Sequence, residues 1–368
     1  MKVPLIDLGA QHRALRGETL AALTAVLDEQ RYINGPRGQR LEEQIAALCG
    51  ARFGVGVSSG TDALVVSLMA LDLRPGDEVI TTPFTFFATA GCVARLGARP
   101  VFADINPETC NLDPAGLQDR MTNRTRAVLP VHLFGQMADM AAILGVARRN
   151  DLVVIEDAAQ AIGATQGSSR AGGVGLAGCL SFYPTKNLGG VGDGGMIVTS
   201  DEGFAERLRL LRAHGSRPRY HHHAVGGNFR LDELQAAALL VRLPHLQGWN
   251  EARRRNAAYY SARFEGSPVR APTVAPGNTS VFHQYTIRAP RRDALQTWLS
   301  ERGVGTGLYY PVPLHLQPCF ADLGYRQGQL PEAERAAREA LSLPIQPELT
   351  QQQLDVVADA VLDFYARG

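Results

Sequence analysis

Between residues 50 and 200 the chain alternates seven short apolar runs with helical stretches, and this alternation constrains the fold more than any other feature. The runs fall at 54–57, 78–81, 100–103, 127–131, 153–155, 179–182 and 196–199. None shows the polar alternation of a half-exposed strand, so each is expected to be buried on both faces. Helices between successive runs imply right-handed crossovers, and therefore an α/β fold with a mostly parallel seven-stranded sheet between helices. A helical stretch from Leu231 to about Phe264, with a possible break at Pro244, leads out of this region. Loop-rich 266–279, a strand near 281–288, a helix from Arg291 and a last helix over 349–365 then suggest a smaller C-terminal α+β domain. A length of 368 residues accommodates two such parts, expected as domains 1–248 and 249–368.

Composition narrows the function classes. Lys and Arg number 37 against 36 Asp and Glu, so a nucleic-acid or anionic-membrane partner has no global electrostatic support. The start, Met-Lys-Val-Pro-Leu-Ile-Asp, lacks a signal-peptide apolar core, and no window reaches the roughly 18 apolar residues of a membrane span. The expectation is a cytoplasmic protein. Cysteines at 49, 92, 110, 179 and 319 show no Cys-x-x-Cys spacing and read as buried small hydrophobes rather than a disulfide or zinc framework. His221-His222-His223 lacks an acidic or cysteine partner nearby, so no metal site is expected; a loop beside the active site or a subunit interface suits it better. Gly173-Val-Gly175-Leu-Ala-Gly178 and Gly190-Val-Gly192-Asp-Gly-Gly195 both fit G-x-G-x-x-G. Each leads into a strand rather than a helix, which argues against dinucleotide binding and for tight turns with close backbone approach.

Two residues point to chemistry. Glu156-Asp157-Ala-Ala-Gln160 follows one buried run, placing Asp157 just beyond the carboxyl end of its strand, where open α/β sheets bind ligands, and Lys186 follows a later run in Ser181-Phe-Tyr-Pro-Thr-Lys186. A lysine supplies the amine of a Schiff base, and a carboxylate holds a pyridine nitrogen protonated, which together suit a pyridoxal 5′-phosphate (PLP) enzyme. Alone, the aspartate reads as a turn or cap and the lysine as a loop charge. A third element, Val55-Gly-Val-Ser-Ser-Gly60-Thr61-Asp62-Ala-Leu, is a short strand breaking into a helix expected over 64–71. Its amides and helix dipole suit a phosphate; a plain N-cap by Ser59 or Thr61 explains it equally well.

At this point the chain resembles the DegT/DnrJ/EryC1/StrS family of PLP-dependent nucleotide-sugar aminotransferases, of fold type I. The matches run in family order from Pro4-Leu-Ile-Asp-Leu through Gly60-Thr-Asp-Ala-Leu, Pro83-Phe-Thr-Phe86, Pro130-Val-His-Leu-Phe-Gly-Gln, Glu156-Asp-Ala-Ala-Gln160 and Ser181-Phe-Tyr-Pro-Thr-Lys186 to Gly226-Gly-Asn228-Phe-Arg230-Leu-Asp-Glu-Leu-Gln. By this resemblance Lys186 is the Schiff-base lysine and, once released, the general base and acid. Asp157 pairs with the ring nitrogen, and Gln160, one helical turn on, meets the cofactor's 3-oxygen. Phe86 stacks on the ring; otherwise it is core. Gly60, Thr61 and Ser181 hold the phosphate, joined by Asn228 from the second subunit of a homodimer with shared active sites.

The reaction so implied is a double displacement. Glutamate leaves its amine on the cofactor and departs as 2-oxoglutarate; a keto-sugar carried on a nucleotide then takes the amine, in amino-sugar biosynthesis for surface polysaccharide or natural-product glycosylation. Tyr310 and His315, in Leu308-Tyr-Tyr-Pro-Val-Pro-Leu-His-Leu-Gln, match a segment lining the sugar pocket, although Pro-rich loops also serve as connectors. Arg230 suits a carboxylate or diphosphate, or an ion pair with Asp232 or Glu233. The preferred acceptor is a 3-keto hexose or hexuronic acid. A 4-keto-6-deoxy sugar and a keto-cyclitol are the alternatives; dehydratases that replace the lysine with histidine, and non-catalytic regulators, fit less well because Lys186 and Asp157 are both present.

Overall fold

The computed structural model describes residues 1–367. Its centre is a sheet of seven strands: β1 (Phe53–Val57), β2 (Glu78–Thr81), β3 (Arg99–Phe102), β4 (Thr125–Leu129), β5 (Val153–Asp157), β6 (Ala177–Ser181) and β7 (Gly195–Thr199). Every apolar run is a strand, with ends shifted by no more than two residues. The spatial order is β1-β7-β6-β5-β4-β2-β3. Pairings β2–β3, β2–β4, β4–β5 and β5–β6 are parallel, whereas β7 runs antiparallel to both β1 and β6. The reversal follows from the connection: the loop between β6 and β7 contains no helix, and a strand that returns without a crossover pairs antiparallel.

The helices are α1 (Gly9–Glu29), α2 (Pro36–Cys49), α3 (Gly60–Ala70), α4 (Ala88–Arg95), α5 (Met140–Arg149), α6 (Glu202–Leu211), α7 (Glu233–Arg242), α8 (Leu246–Phe264), α9 (Arg292–Glu301), α10 (Pro331–Glu339) and α11 (Gln351–Ala366). Alternate residues of each strand bury on opposite faces. One face packs Ile155 and Ile197 with Leu64 and Leu68 of α3 and Leu208 of α6. The other packs Val154 and Met196 with Leu41 of α2, Ile143 of α5 and Leu239 of α7. Helix α3 starts at Gly60, four residues before the sequence signal at Leu64, because Ser59 caps it.

The long helical stretch breaks as a 3₁₀ turn at Leu243–His245, around Pro244. Past it, α8 leaves the first core through Leu246 and enters a second through Ala257, Tyr260 and Phe264. There β8 (Tyr285–Arg288) pairs antiparallel with β9 (Ala340–Leu343) under α9 and α11. The strand starts four residues later than the 281–288 expectation, since Val281 packs in the first core instead. A further apolar cluster joins Phe84 and Phe102 to Leu314, Phe320 and Leu330, bringing the 308–317 segment to the sheet's carboxyl edge. Four cysteines are buried as expected; Cys319 is exposed. No helix of the described residues is long and apolar enough to cross a membrane.

Candidate active site

Because β5 and β6 run parallel, their carboxyl ends face one edge, and Asp157 and Ser181 terminate them there. An open cleft of about 730 Å³ lies over this edge. Gly60, Thr61, Phe86, Asp157, Gln160, Ser181, Lys186 and Tyr310 all line it.

Asp157 is the last residue of β5, not one beyond it, and is only 5% exposed. Thr89 Oγ1 of α4 donates to its Oδ2 at 2.8 Å, and the Ala159 amide donates to Oδ1 at 3.2 Å. Burial pushes its pKa up, against the pull of those two donors and of Lys186. A carboxylate accepts about four hydrogen bonds, so this one is desolvated with capacity to spare, a seat for a cation. Lys186 sits in a turn closed by its own amide onto Tyr183 O at 2.8 Å. Burial lowers its ammonium to about 8 although Asp157 raises it, which leaves neutral amine available near neutrality for attack or proton abstraction.

At the start of α3, Ser59 Oγ accepts from the Asp62 amide at 3.0 Å. The N-cap reading is therefore correct for Ser59, while the amides of Gly60 and Thr61, in the helix's first turn, have no hydrogen-bond partner among the described residues, and both residues line the cleft. Only glycine fits at 60: a Cβ there would lie 2.6 Å from Ser181 Cβ. Gln160 lies in a turn rather than the helical turn expected of it. Its Oε1 accepts from the Phe134 amide at 2.7 Å and its Nε2 donates to the Tyr310 hydroxyl at 3.1 Å. Phe86 is 57% exposed at the cleft mouth, which rules out the core alternative.

Three predicted residues do not line the cleft. His315 is buried, its Nε2 3.2 Å from Glu334 Oε1; its neighbours Leu314 and Gln317 reach the cleft instead. Asn228 is exposed, in a segment bridged to Ala213. Arg230 bridges Val57 through its backbone, and its buried Nε has no hydrogen-bond partner. Its ion-pair alternative is not formed. Asp232 caps α7, and the Glu233 carboxylate receives the amides of Gly35, Arg37 and Gly38.

The two glycine runs are structural. Glu156 accepts from the amides of Gly172, Val174 and Gly175 at 2.7–2.9 Å and meets His132 Nε2 at 2.7 Å. A Cβ at Gly175 would lie 2.5 Å from Val154 O. In the second run Gln235 of α7 accepts from the Val191 amide at 2.9 Å, and Arg242 donates to the carbonyls of Gly189 and Gly190. The three consecutive histidines are exposed, with His222 and His223 on main-chain oxygens, and no group of three possible metal ligands occurs among the described residues. Sequence reasoning missed Thr89, His283, Gln284 and Tyr309. Thr89 and the pair His283-Gln284 carry no motif, so their place depends on tertiary packing, whereas Tyr309 adjoins Tyr310 in a segment already singled out.

A profile described as the DegT/DnrJ/EryC1/StrS aminotransferase family matches residues 13–362. The chain belongs to this family. It is 54% identical to a "Pleiotropic regulatory protein" of Geobacillus stearothermophilus, covering 99% of each chain. It is 45% identical to a "UDP-N-acetyl-3-dehydro-alpha-D-glucosamine 3-aminotransferase" of Acidithiobacillus ferrooxidans, over 98% of this chain and 97% of that one. A crystal structure of S. venezuelae DesV in complex with a ketimine intermediate superposes with a TM-score of 0.97 at 46% identity, covering 100% of this chain and 99% of DesV. Family membership makes the protein a PLP-dependent aminotransferase of fold type I. The cleft fits that cofactor on its own terms: an amine held near neutrality, a buried carboxylate with spare capacity, and unpaired amides at a helix N-terminus.

Proposed function

We propose that this enzyme moves an amino group from glutamate to the 3-keto carbon of a nucleotide-linked hexose or hexuronic acid, working as a homodimer with shared active sites. The observation that carries the reading is the convergence of Asp157, Lys186 and the α3 N-terminus on one cleft, in a chain similar to a protein named for 3-amination of a UDP-linked 3-dehydro sugar. The regulatory name of the 54% relative comes with no loss of either residue here.

When bound, PLP supplies an electron sink for the carbon that bears the amine. The chain's own groups do the rest. The Asp157 carboxylate holds a proton at the ring nitrogen, and Thr89 fixes that carboxylate in place. Lys186 provides the amine that anchors the cofactor and, once displaced, takes and returns the substrate proton at Nζ. Gly60, Thr61 and Ser181 receive the phosphate at the positive end of α3. Gln160, oriented by Phe134 and Tyr310, serves the cofactor's 3-oxygen, Phe86 covers the ring from the mouth, and Tyr310 reaches the sugar. His315 acts at one remove, fixing the 308–317 segment through Glu334.

Asn228 supports the dimer because it is exposed and lies outside its own chain's cleft. So does the surface around α1, where Leu20, Leu27, Tyr32 and Ile33 are exposed, an apolar area of the kind subunits cover. In the dimer Asn228 serves the partner's phosphate, and Arg230 lies beside it for a carboxylate or diphosphate. The division into 1–248 and 249–368 belongs to the same reading, the second part carrying the sugar-facing segment. Mixing inactive Lys186→Ala and Asn228→Ala chains should restore activity through heterodimers with one intact site. No recovery after demonstrated subunit exchange would place Asn228 elsewhere. For the substrate, the pyridoxamine form is offered each nucleotide keto-sugar, and the PLP spectrum should return with a 3-keto sugar. Return only with a 4-keto-6-deoxy sugar would reverse the preference.

A further inference from the structure

Asn187, next to the lysine, sits in a buried hydrogen-bond network that fixes the state of a histidine. Its Nδ2 donates to Asn250 Oδ1 at 2.8 Å and to Val281 O at 2.9 Å. Asn250 is itself held by donation from its Nδ2 to Ile162 O at 3.1 Å. Flipping Asn187 would set its oxygen against the carbonyl of Val281, so both amide orientations are determined by carbonyls. Asn187 Oδ1 must therefore be an acceptor, and His283 Nδ1, 3.1 Å away, must carry the hydrogen.

The ring is 9% exposed, and Lys186 and Arg253 both stand near it. Arg253 donates to the carbonyls of Phe282 and His283. Burial and these two cations hold the imidazole well below its ordinary pKa, hence neutral. A neutral ring protonated at Nδ1 has a bare lone pair at Nε2. That nitrogen has no hydrogen-bond partner among the described residues, and His283 lines the cleft wall with Lys186. We propose that His283 is a positioning residue: its Nε2 accepts a hydrogen bond from Lys186 Nζ–H whenever the lysine is free of the cofactor, aiming the amine for proton transfer and steadying the ammonium that results. No proton passes to His283, because charging a buried ring between two cations is unfavourable.

The inference rests on the reading of Lys186 as the cofactor-bearing lysine. The titratable groups facing Lys186 are Asp157 of β5, Tyr183 and Asp193 of its own loop, His283, Tyr309 and Tyr310, with Arg253 and Asp7 across an adjoining cavity. Only His283 offers an uncharged nitrogen acceptor. Its loss should therefore lower the lysine's pKa further, the opposite of losing a cation.

The test uses the holoenzyme in its pyridoxamine form, where the lysine is free. Competitive acetylation followed by peptide mapping reads the pKa of Lys186, and ¹⁵N NMR of histidine-labelled enzyme reads the tautomer. The expected tautomer is Nδ1–H. His283→Asn keeps a donor to Asn187 but places nothing at Nε2, and should raise Lys186 labelling at fixed pH by about tenfold, one pKa unit. His283→Gln returns an amide oxygen and should restore most of the shift. An Nε2–H tautomer overturns the inference, and this measurement needs no variant to fold. So does an unchanged labelling profile in folded His283→Asn, which would mean a packing role only, or a shift that His283→Gln leaves untouched. Borohydride fixation of the PLP form is mapped first; a label on another lysine removes the reading of Lys186 itself, whereas the other outcomes bear on His283 alone.

Discussion

Glu156 and Asp157 are adjacent carboxylates at the end of one strand, and they project into opposite regions of the molecule. Glu156 points to the α2–α5–α7 side, where three loop amides and His132 satisfy it. Asp157 points to the α3–α4 side, where two donors leave it with unused capacity and a raised pKa. One side of the sheet uses a buried charge to hold a glycine loop, and the other keeps a buried charge incompletely solvated. A ligand cation has reason to bind only at the second. Burial of a carboxylate is thus no mark of function; its unmet hydrogen-bonding capacity is.

The strongest way to break this contrast is to neutralise each acid in turn. Asp157→Asn should reduce turnover by about 10²–10⁴-fold while the fold melts at or above the wild-type temperature. Glu156→Gln should do the reverse, costing about 2–4 kcal/mol of stability through unpaired loop amides with turnover per folded molecule within a few-fold. Near-normal turnover for the first, or wild-type melting for the second, would erase the distinction.

A smaller effect sharpens the claim that the cleft side holds unrelieved charge. In cofactor-free protein the unfolded chain keeps the Lys186 proton up to its ordinary value of 10.5, whereas the native chain releases it near 8. Between those values the unfolded state binds more protons, so wild-type stability rises with pH there. Lys186→Met should be more stable than wild type at pH 7 by about 1–3 kcal/mol, with the gap closing by pH 10. Denaturant midpoints at the two pH values measure it, and a variant less stable at pH 7 contradicts it. The smallest change concerns the donor to Asp157. Thr89→Val removes one hydrogen bond, worth about 1.5–3 kcal/mol to a charged group, and should move the acid limb of the pH–rate profile to higher pH. An unmoved limb would mean that Thr89 has no hold on the carboxylate.

Much of this was legible in the sequence, for reasons specific to each element. The seven strands announced themselves because strands buried on both faces are uninterrupted apolar runs. The reversal of β7 was not legible, since an apolar run carries no direction. Helix α3 began earlier than its apolar residues indicated because its first turn is the small, polar Gly60-Thr61-Asp62. Asp157 and Lys186 stood out through their flanking motifs. His283 reaches the same cleft, and Thr89 reaches Asp157 behind it, from segments distant in sequence, and a single histidine before a strand has no local signature of its task. His315, in a segment that does line the cleft, turned inward because Glu334 offers its ring a buried partner, a pairing invisible at a separation of nineteen residues.

Cys319 gives the molecule a reporter of its own. The other four cysteines are buried, so a thiol-directed fluorophore will attach at one place. That place lies two residues beyond Gln317 of the cleft wall and directly before Phe320, which stacks on Phe87 at the cleft's edge. Sugar occupancy can be followed from the rim by emission in real time, with the cofactor's absorbance left free to record the chemistry.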